Sequence, residues 1–320
     1  MNTTPYVSVA IPVYNGENFV AEAIESVLGQ TWSDLELVIC DNGSTDRTED
    51  ICKTFAARDS RVRYYRNDTN IGIVKNFNRA LALASPSSKY FKFAPHDDYY
   101  DPTFLEQCVA ALDEDPTAVL CNARISIVNE RRDVVKRNDV ELKADMLEPH
   151  ERFLALLNNS KCFDLFAVIR RSALAKMPAP LLPSYGNSDG VLLARLGLLG
   201  RFQYLDEYLY YNRDYKERSG NKYKSYREFT YFIDPAMKGR IIFPRWRMLL
   251  EFFRSIYLVP LDSYQRFCCF CHLARWIGWY WKSLAANILI GAYEIGRYPI
   301  DKLASRMKIH MFRTDHQLTH

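Results

Sequence analysis

A chain of 320 residues, 48% of them hydrophobic, can bury a full core and is long enough for one large domain with an appendage or for two domains. The net charge of +4 hides an asymmetry: residues 1–212 carry 23 Lys+Arg against 29 Asp+Glu, and residues 213–320 carry 19 against 9. The acidic body argues against a nucleic-acid ligand, whereas the basic, aromatic-rich tail calls for an anionic neighbour such as a lipid surface.

In chain order, Tyr6–Ile11 reads as a buried strand. Asn15-Gly16 makes a turn, and Val20, Ala23, Ile24, Val27 and Leu28 recur at helical spacing. Leu35–Cys40 is the second strand, and Asp46 with Glu49 forms a capping box for a helix carrying Ile51 and Phe55. Val62–Tyr65 is a short strand, after which Asn70-Ile71-Gly72 leads into a helix through Leu83. Tyr90–Ala94 is the fourth strand, with Pro102 opening the next helix. Strands and helices alternating at these lengths imply a mostly parallel sheet covered by helices on both faces.

Ala118–Val128 returns as a strand, Asn129–Asp145 reads as a surface excursion, Pro149–Asn158 as a short helix and Phe163–Ile169 as another strand. Pro178, Pro180 and Pro183 force an extended loop before a helix near Asp189, and Tyr208–Tyr211 reads as a strand. Beyond residue 216 the pattern turns to basic, aromatic helices. Residues 1–225 are therefore expected to form an α/β domain and residues 226–320 a helical C-terminal region.

Most of the eight cysteines sit inside apolar runs, which favours free thiols in a reducing compartment. Cys268, Cys269, Cys271 and His272 crowd together, but no second ligand pair follows at zinc-site spacing. The first residues lack the basic-then-apolar pattern of a leader, and no run of about eighteen apolar residues occurs. The expected location is cytoplasmic, peripheral on the inner face of the cell membrane. Trp246, Leu249, Leu250, Phe253, Ile256 and Tyr257 fall at helical spacing, so the tail either packs on the body or lies in a membrane interface.

Three apolar runs end in polar residues: Val7–Asn15, Leu37–Asp46 and Phe91–Asp98. A parallel sheet binds ligands in the crevice beyond the carboxyl ends of its strands. The order and spacing of these segments resemble the inverting nucleotide-sugar transferases, family two of the glycosyltransferases, with the GT-A fold. The resemblance covers roughly residues 5–215. It implies transfer of one sugar from a nucleotide-diphosphate donor to a hydroxyl of a glycan or lipid-linked glycan, assisted by Mg²⁺ or Mn²⁺.

By this resemblance Pro12, Tyr14 and Asn15 wrap the nucleobase, and Asp41 accepts a hydrogen bond from it. Gly72 and Lys75 approach the phosphates, with Asn70 and Asn78 in the same segment. His96-Asp97-Asp98 stands where relatives carry Asp-x-Asp, making His96 and Asp97 donor contacts and Asp97 and Asp98 the metal ligands. Asp189 is the expected general base. Inversion needs a single carboxylate to take the acceptor's proton during one in-line displacement, an effect of about 10²–10⁴-fold. Arg213 stands where relatives often carry a basic residue near the diphosphate.

The chain departs from the family pattern at three places: Asn42 replaces an Asp, Pro95 the first acid of Asp-x-Asp, and Ser188 a Glu before Asp189. Two rival readings follow. A nucleotidyltransferase would favour a Gly-rich basic loop after the first strand, yet Pro12–Asn18 has one glycine and no Lys or Arg. A catalytically silent nucleotide- or membrane-binding partner of a glycan-assembly complex is the other.

Overall fold

A computed structural model describes residues 4–138, 144–157, 163–216, 232–238, 240 and 243–306. The elements run β1 (Val7–Val13), α1 (Val20–Leu28), β2 (Leu35–Asp41), α2 (Thr48–Arg58), β3 (Val62–Arg66), α3 (Ile73–Leu83), β4 (Tyr90–Phe93), β5 (Tyr99–Tyr100) and α4 (Phe104–Glu114). They continue with β6 (Ala118–Val128), β7 (Val134–Asn138), α5 (Pro149–Leu157), β8 (Val168–Arg170), α6 (Arg171–Leu174), α7 (Ser188–Leu199), β9 (Arg201–Arg213), α8 (Pro244–Leu258) and α9 (Ser263–Arg306). The strands form one sheet in the order β3-β2-β1-β4-β8-β6-β9-β5, with β7 on β6.

The first four strands are parallel because each return passes through a helix, while β8 runs antiparallel between β4 and β6. Every residue of β1 and β2 is buried, as expected of strands covered on both faces. Alternation then sorts side chains between the two layers. Val7, Val9, Ile11, Leu37 and Ile39 join α1, α2 and α4, whereas Ala10, Val38, Phe91 and Phe93 face the layer of α3, α5 and α7.

Three sequence expectations are corrected. Phe163–Ile169 is not one strand: Phe163–Phe166 forms a 3₁₀ turn and only Val168–Arg170 pairs in the sheet. The buried Asp164 carboxyl turns inward to Asn122 and Tyr204, which breaks strand alternation there. The Asn129–Asp145 excursion contains β7, a strand paired back onto β6. Asp46 accepts from the Thr48 amide and hydroxyl, but Glu49 pairs with Lys53 and Arg66 instead of closing a capping box. The expected domain boundary after residue 225, and Cys162, lie outside the described residues.

Apart from Asp189 and Leu199, every residue of α7 is buried, because the sheet covers one side and α5 and α8 the other. Arg195 therefore sits in the core, 2% exposed, and its guanidinium meets Glu251 of α8 at 2.6 Å and the Ser255 hydroxyl at 2.9 Å. Phe252 of α8 stacks edge-on against Phe153 of α5 and Trp276 of α9. The tail thus packs on the body through α8 and the first half of α9.

Lys92 of β4 is also buried. Its ammonium donates to the Phe166 carbonyl and lies 3.8 Å from the Tyr100 ring centroid and 4.5 Å from that of Phe104. Carbonyl and ring faces replace only part of the lost hydration, so burial pushes its pKa down to about 7.

Two stability experiments follow. Glu251→Leu strands the Arg195 charge in the core and is expected to lower unfolding free energy in urea by about 3–5 kcal/mol, with Arg195→Met/Glu251→Leu recovering most of the loss. For Lys92, the folded chain binds fewer protons than the unfolded one between about pH 7 and the ordinary lysine value near 10. Stability contributed by this group therefore rises with pH through that window. Urea midpoints at about pH 7 and about pH 9 should show that rise in the parent chain and lose it in Lys92→Met.

Candidate active site

The site is built where β1, β2 and β4 finish. Val13 pairs with Asp41, and Phe93 with Ala10, so these strand ends open side by side. Beyond β1 the chain turns through Asn15 at φ 51°, a left-handed conformation that Asn tolerates. The Asn15 amide donates to Ser44 Oγ at 3.0 Å, and its side-chain oxygen accepts from the Thr45 amide at 2.9 Å. The two turns after β1 and β2 are thereby locked together, with Tyr14 exposed on the rim.

Pro12 is buried in the strand itself. His96 packs on Gly16 so closely that a Cβ there would come within 2.7 Å of its ring. This contact brings the third segment against the first.

Asp41 is fully buried. Its Oδ1 accepts from the Ser44 amide (2.9 Å) and hydroxyl (2.6 Å), and its Oδ2 from the Tyr64 hydroxyl (2.7 Å). Arg66 stands farther off, at 3.7 Å. Burial and the adjacent carboxylate hold the Tyr64 hydroxyl well above the usual tyrosine range.

Beside it lies a group of asparagines, of which the sequence pattern singles out Asn42 and Asn70 but not Asn67 and Asn76. Asn42 donates to Asn70 Oδ1 and accepts from Asn67 and the Ile71 amide, while Asn67 also donates to Asn76 and Asn76 to the Cys40 carbonyl. An Asp at position 42 could not donate to Asn70, which gives a physical reason for Asn42. Gly72, at φ 91°, then starts α3, with its amide on Asn70 Oδ1 at 2.9 Å. Lys75 pairs with the buried Asp234 at 3.0 Å, a link from α3 to the segment that precedes α8. Asn78 binds the Leu182 backbone through both its amide nitrogen and its oxygen, docking the proline-rich loop on α3.

The neighbouring acids Asp97 and Asp98 differ in surroundings. Asp98 is 1% exposed, and its carboxylate accepts from Tyr210 Oη (2.6 Å), Asn212 Nδ2 (2.9 Å) and the Arg213 amide (2.9 Å). Asp97 Oδ2 accepts from the Tyr215 hydroxyl at 3.0 Å.

Arg213 is buried and turned into the protein. It donates to the carbonyls of Asp97 and Glu130, each at 3.0 Å, pairs with Glu22 at 2.5 Å, and lies over the Phe19 ring. Its charge thus braces α1, β9 and the Asp97 backbone together. The resemblance offered it as a basic residue near the diphosphate, whereas the bracing depends on residues as distant as Glu22.

Asp189 occupies the first turn of α7 and is half buried, with the Gly190 amide on its Oδ1 at 3.0 Å. The helix ends at Gly200 and feeds directly into β9, which begins level with the start of β6. Twelve residues of helix span about 18 Å. The first turn of α7 therefore lies at the helix end remote from the start of β9, and the helix dipole favours negative charge there.

A divalent cation suits this crevice chemically: hard oxygen ligands are present, and phosphate oxygens and water complete a shell that needs only one or two carboxylates. Among the described residues no cluster of three or more His, Cys, Asp or Glu could hold a metal by itself.

The fold matches solved glycosyltransferases. S. aureus TarS, solved with UDP and with UDP-GlcNAc, superposes with a TM-score of 0.58 at 19% identity, covering 86% of this chain and 72% of that one. In sequence, the chain is 30% identical over 131 residues to an uncharacterized glycosyltransferase of Haemophilus influenzae, spanning 41% of this chain and 40% of that protein. It is 36% identical over 124 residues to the uncharacterized glycosyltransferase YibD of Escherichia coli, spanning 38% and 35%. The matched segment is thus less than half the length of either relative. Residues 8–177, more than half of the chain, match the profile of glycosyl transferase family 2. The chain belongs to that family and has its GT-A fold.

Proposed function

We propose that the chain is an inverting glycosyltransferase that moves one sugar from a nucleotide-diphosphate donor to a hydroxyl of a glycan or lipid-linked glycan. The observation carrying this reading is the convergence of the Tyr14–Asn15 turn, the Asp41–Ser44 turn and His96–Asp97 on one crevice at the sheet's carboxyl end. The complexes of TarS with UDP and UDP-GlcNAc support a donor of this class.

Tyr14 lies against the base, Asn15 and Pro12 shape its slot, and the base's N–H displaces Arg66, the most distant partner of Asp41, to reach Oδ2. Gly72 lets backbone approach the phosphates, and Lys75 joins them by exchanging Asp234. His96 closes the donor pocket over Gly16.

Asp97 would hold Mg²⁺ or Mn²⁺ together with the diphosphate oxygens, and that ion supplies positive charge against the charge of the leaving group. Asp98 was an expected ligand too, but we assign it to scaffold, because both oxygens already accept hydrogen bonds from β9. Asp189 takes the acceptor's proton as that oxygen attacks the anomeric carbon. The bond to the diphosphate breaks with its electron pair leaving on phosphate oxygen, and the anomeric configuration inverts.

Replacing the proposed base tests the mechanism. Asp189→Asn is expected to keep donor affinity and cut single-turnover transfer by at least about a hundredfold, with an inverted product anomer by NMR. Near-normal transfer would remove Asp189 from the role, and a retained anomer would remove inversion.

The two neighbouring acids should separate in a paired experiment. Asp97→Ala is expected to abolish the gain in nucleoside-diphosphate affinity produced by Mn²⁺, read by calorimetry. Asp98→Ala strips three buried donors of their acceptor and should instead lower the thermal midpoint. A normal Mn²⁺ response in Asp97→Ala would overturn the ligand assignment.

A further inference from the structure

Helix α8 is apolar on two opposite sides. Met248, Phe252 and Ile256 face the core. Trp246, Leu250, Phe253 and Tyr257, at i, i+4, i+7 and i+11, line the opposite side and are between 36% and 58% exposed. A helix seated on a globular core ordinarily turns polar residues outward. Here the stripe continues across the α8–α9 seam, where Phe253 and Tyr257 meet Phe270, and on to the exposed Ile277 and Trp281.

Cations surround this face. Between residues 243 and 292 the chain carries Arg245, Arg247, Arg254, Arg266, Arg275 and Lys282 against only Glu251 and Asp262. Glu251 is shared between the buried Arg195 and the outer Arg247 and Arg254, so its single charge leaves the patch cationic.

We propose that the outward face of α8 and the adjoining face of α9 lies on an anionic lipid surface. The proposal names the membrane partner of the transferase reading and rests on that reading only for the acceptor. The Tyr257 and Trp281 rings combine an apolar body with a polar tip suited to the headgroup boundary, while Trp246 gives its N–H to the Leu284 carbonyl and offers only its ring. Arginine stems cover apolar surface while their heads reach lipid phosphates. No described helix is long and apolar enough to cross a membrane, so the surface rests on the bilayer without spanning it. A second copy is a poorer occupant: a two-fold contact would set the same excess of cations against itself.

Sedimentation of the full chain with phosphatidylcholine vesicles, with and without phosphatidylglycerol, tests this. Binding is expected only with the anionic lipid and should weaken with salt. Leu250→Asp/Tyr257→Asp should weaken it by at least about tenfold with nucleoside-diphosphate affinity unchanged. Arg275→Gln and Lys282→Gln should each cost about fivefold. If the double variant fails to bind nucleotide and so is misfolded, quenching of the parent chain's tryptophan emission by brominated anionic lipid decides: quenching supports the proposal and its absence overturns it. Equal binding to neutral vesicles, no binding, or a dimer in sedimentation velocity that Leu250→Asp/Tyr257→Asp dissolves would also overturn it. Lost vesicle binding with intact sugar transfer would sink this surface alone, whereas absent transfer with intact vesicle binding would sink the catalytic reading alone.

Discussion

A carboxylate removed from water must find donors, and Asp98 finds three on one strand. The Tyr210 hydroxyl, the Asn212 amide and the Arg213 backbone N–H all belong to β9, whereas Asp98 belongs to the turn after β4. This knot joins two strands more than a hundred residues apart in sequence and fixes how the chain leaves the central sheet. Its effects spread through both neighbours of the bonded atoms. Arg213 is drawn inward to meet Glu22 and Phe19, and Tyr215 reaches the Asp97 carboxylate. Lys92 lies beneath the same knot, its ammonium 5.8 Å from the Tyr210 ring centroid. Asp97 is thus held at its backbone by the buried Arg213 and at its carboxylate by the half-buried Tyr215.

The donor side rests on a second polar assembly, of neutral amides rather than charges. Asn42, Asn67, Asn70 and Asn76 link donors and acceptors at the ends of β2 and β3 and the start of α3, with the Asn67 side-chain oxygen alone among them buried without a partner. Amides suit this position because each supplies both a donor and an acceptor, which a carboxylate cannot do at neutral pH. The glycines at 43 and 72, both at positive φ, let the backbone turn within that set. At Gly43 a Cβ would lie 3.0 Å from the Thr69 carbonyl carbon, so the turn and the loop before α3 share one narrow space.

The regular part of the fold was legible because it depends on local pattern. The periodicities of Val7–Ile11, Leu35–Cys40, Val20–Leu28 and Ile73–Leu83 each place one element, and the alternation of types implies a parallel sheet. The three polar strand ends were legible for the same reason, since topology alone brings them together. What escaped the sequence depends on partners distant along the chain. Asp164 looks like a residue in an apolar strand until Asn122 and Tyr204 draw it inward. The resemblance makes both Asp97 and Asp98 metal ligands, and the hydrogen bonds that β9 gives to Asp98 are set by partners more than a hundred residues away. The resemblance offers Lys75 as a phosphate contact, but its carboxylate partner lies at residue 234.

The buried pairing of Arg195 with Glu251 limits how this chain can change over evolution or at the bench. In many proteins an accessory segment can be trimmed to free the catalytic part from whatever the segment binds. Here a cut before α8 would leave a guanidinium uncompensated in the middle of α7, beside the apolar surface once covered by Phe252 and Trp276. The same helix is both a wall of the core and an outward-facing surface. Deletion cannot remove one without the other, so any variant altered in what α8 meets outside must arise by substitutions along its exposed stripe.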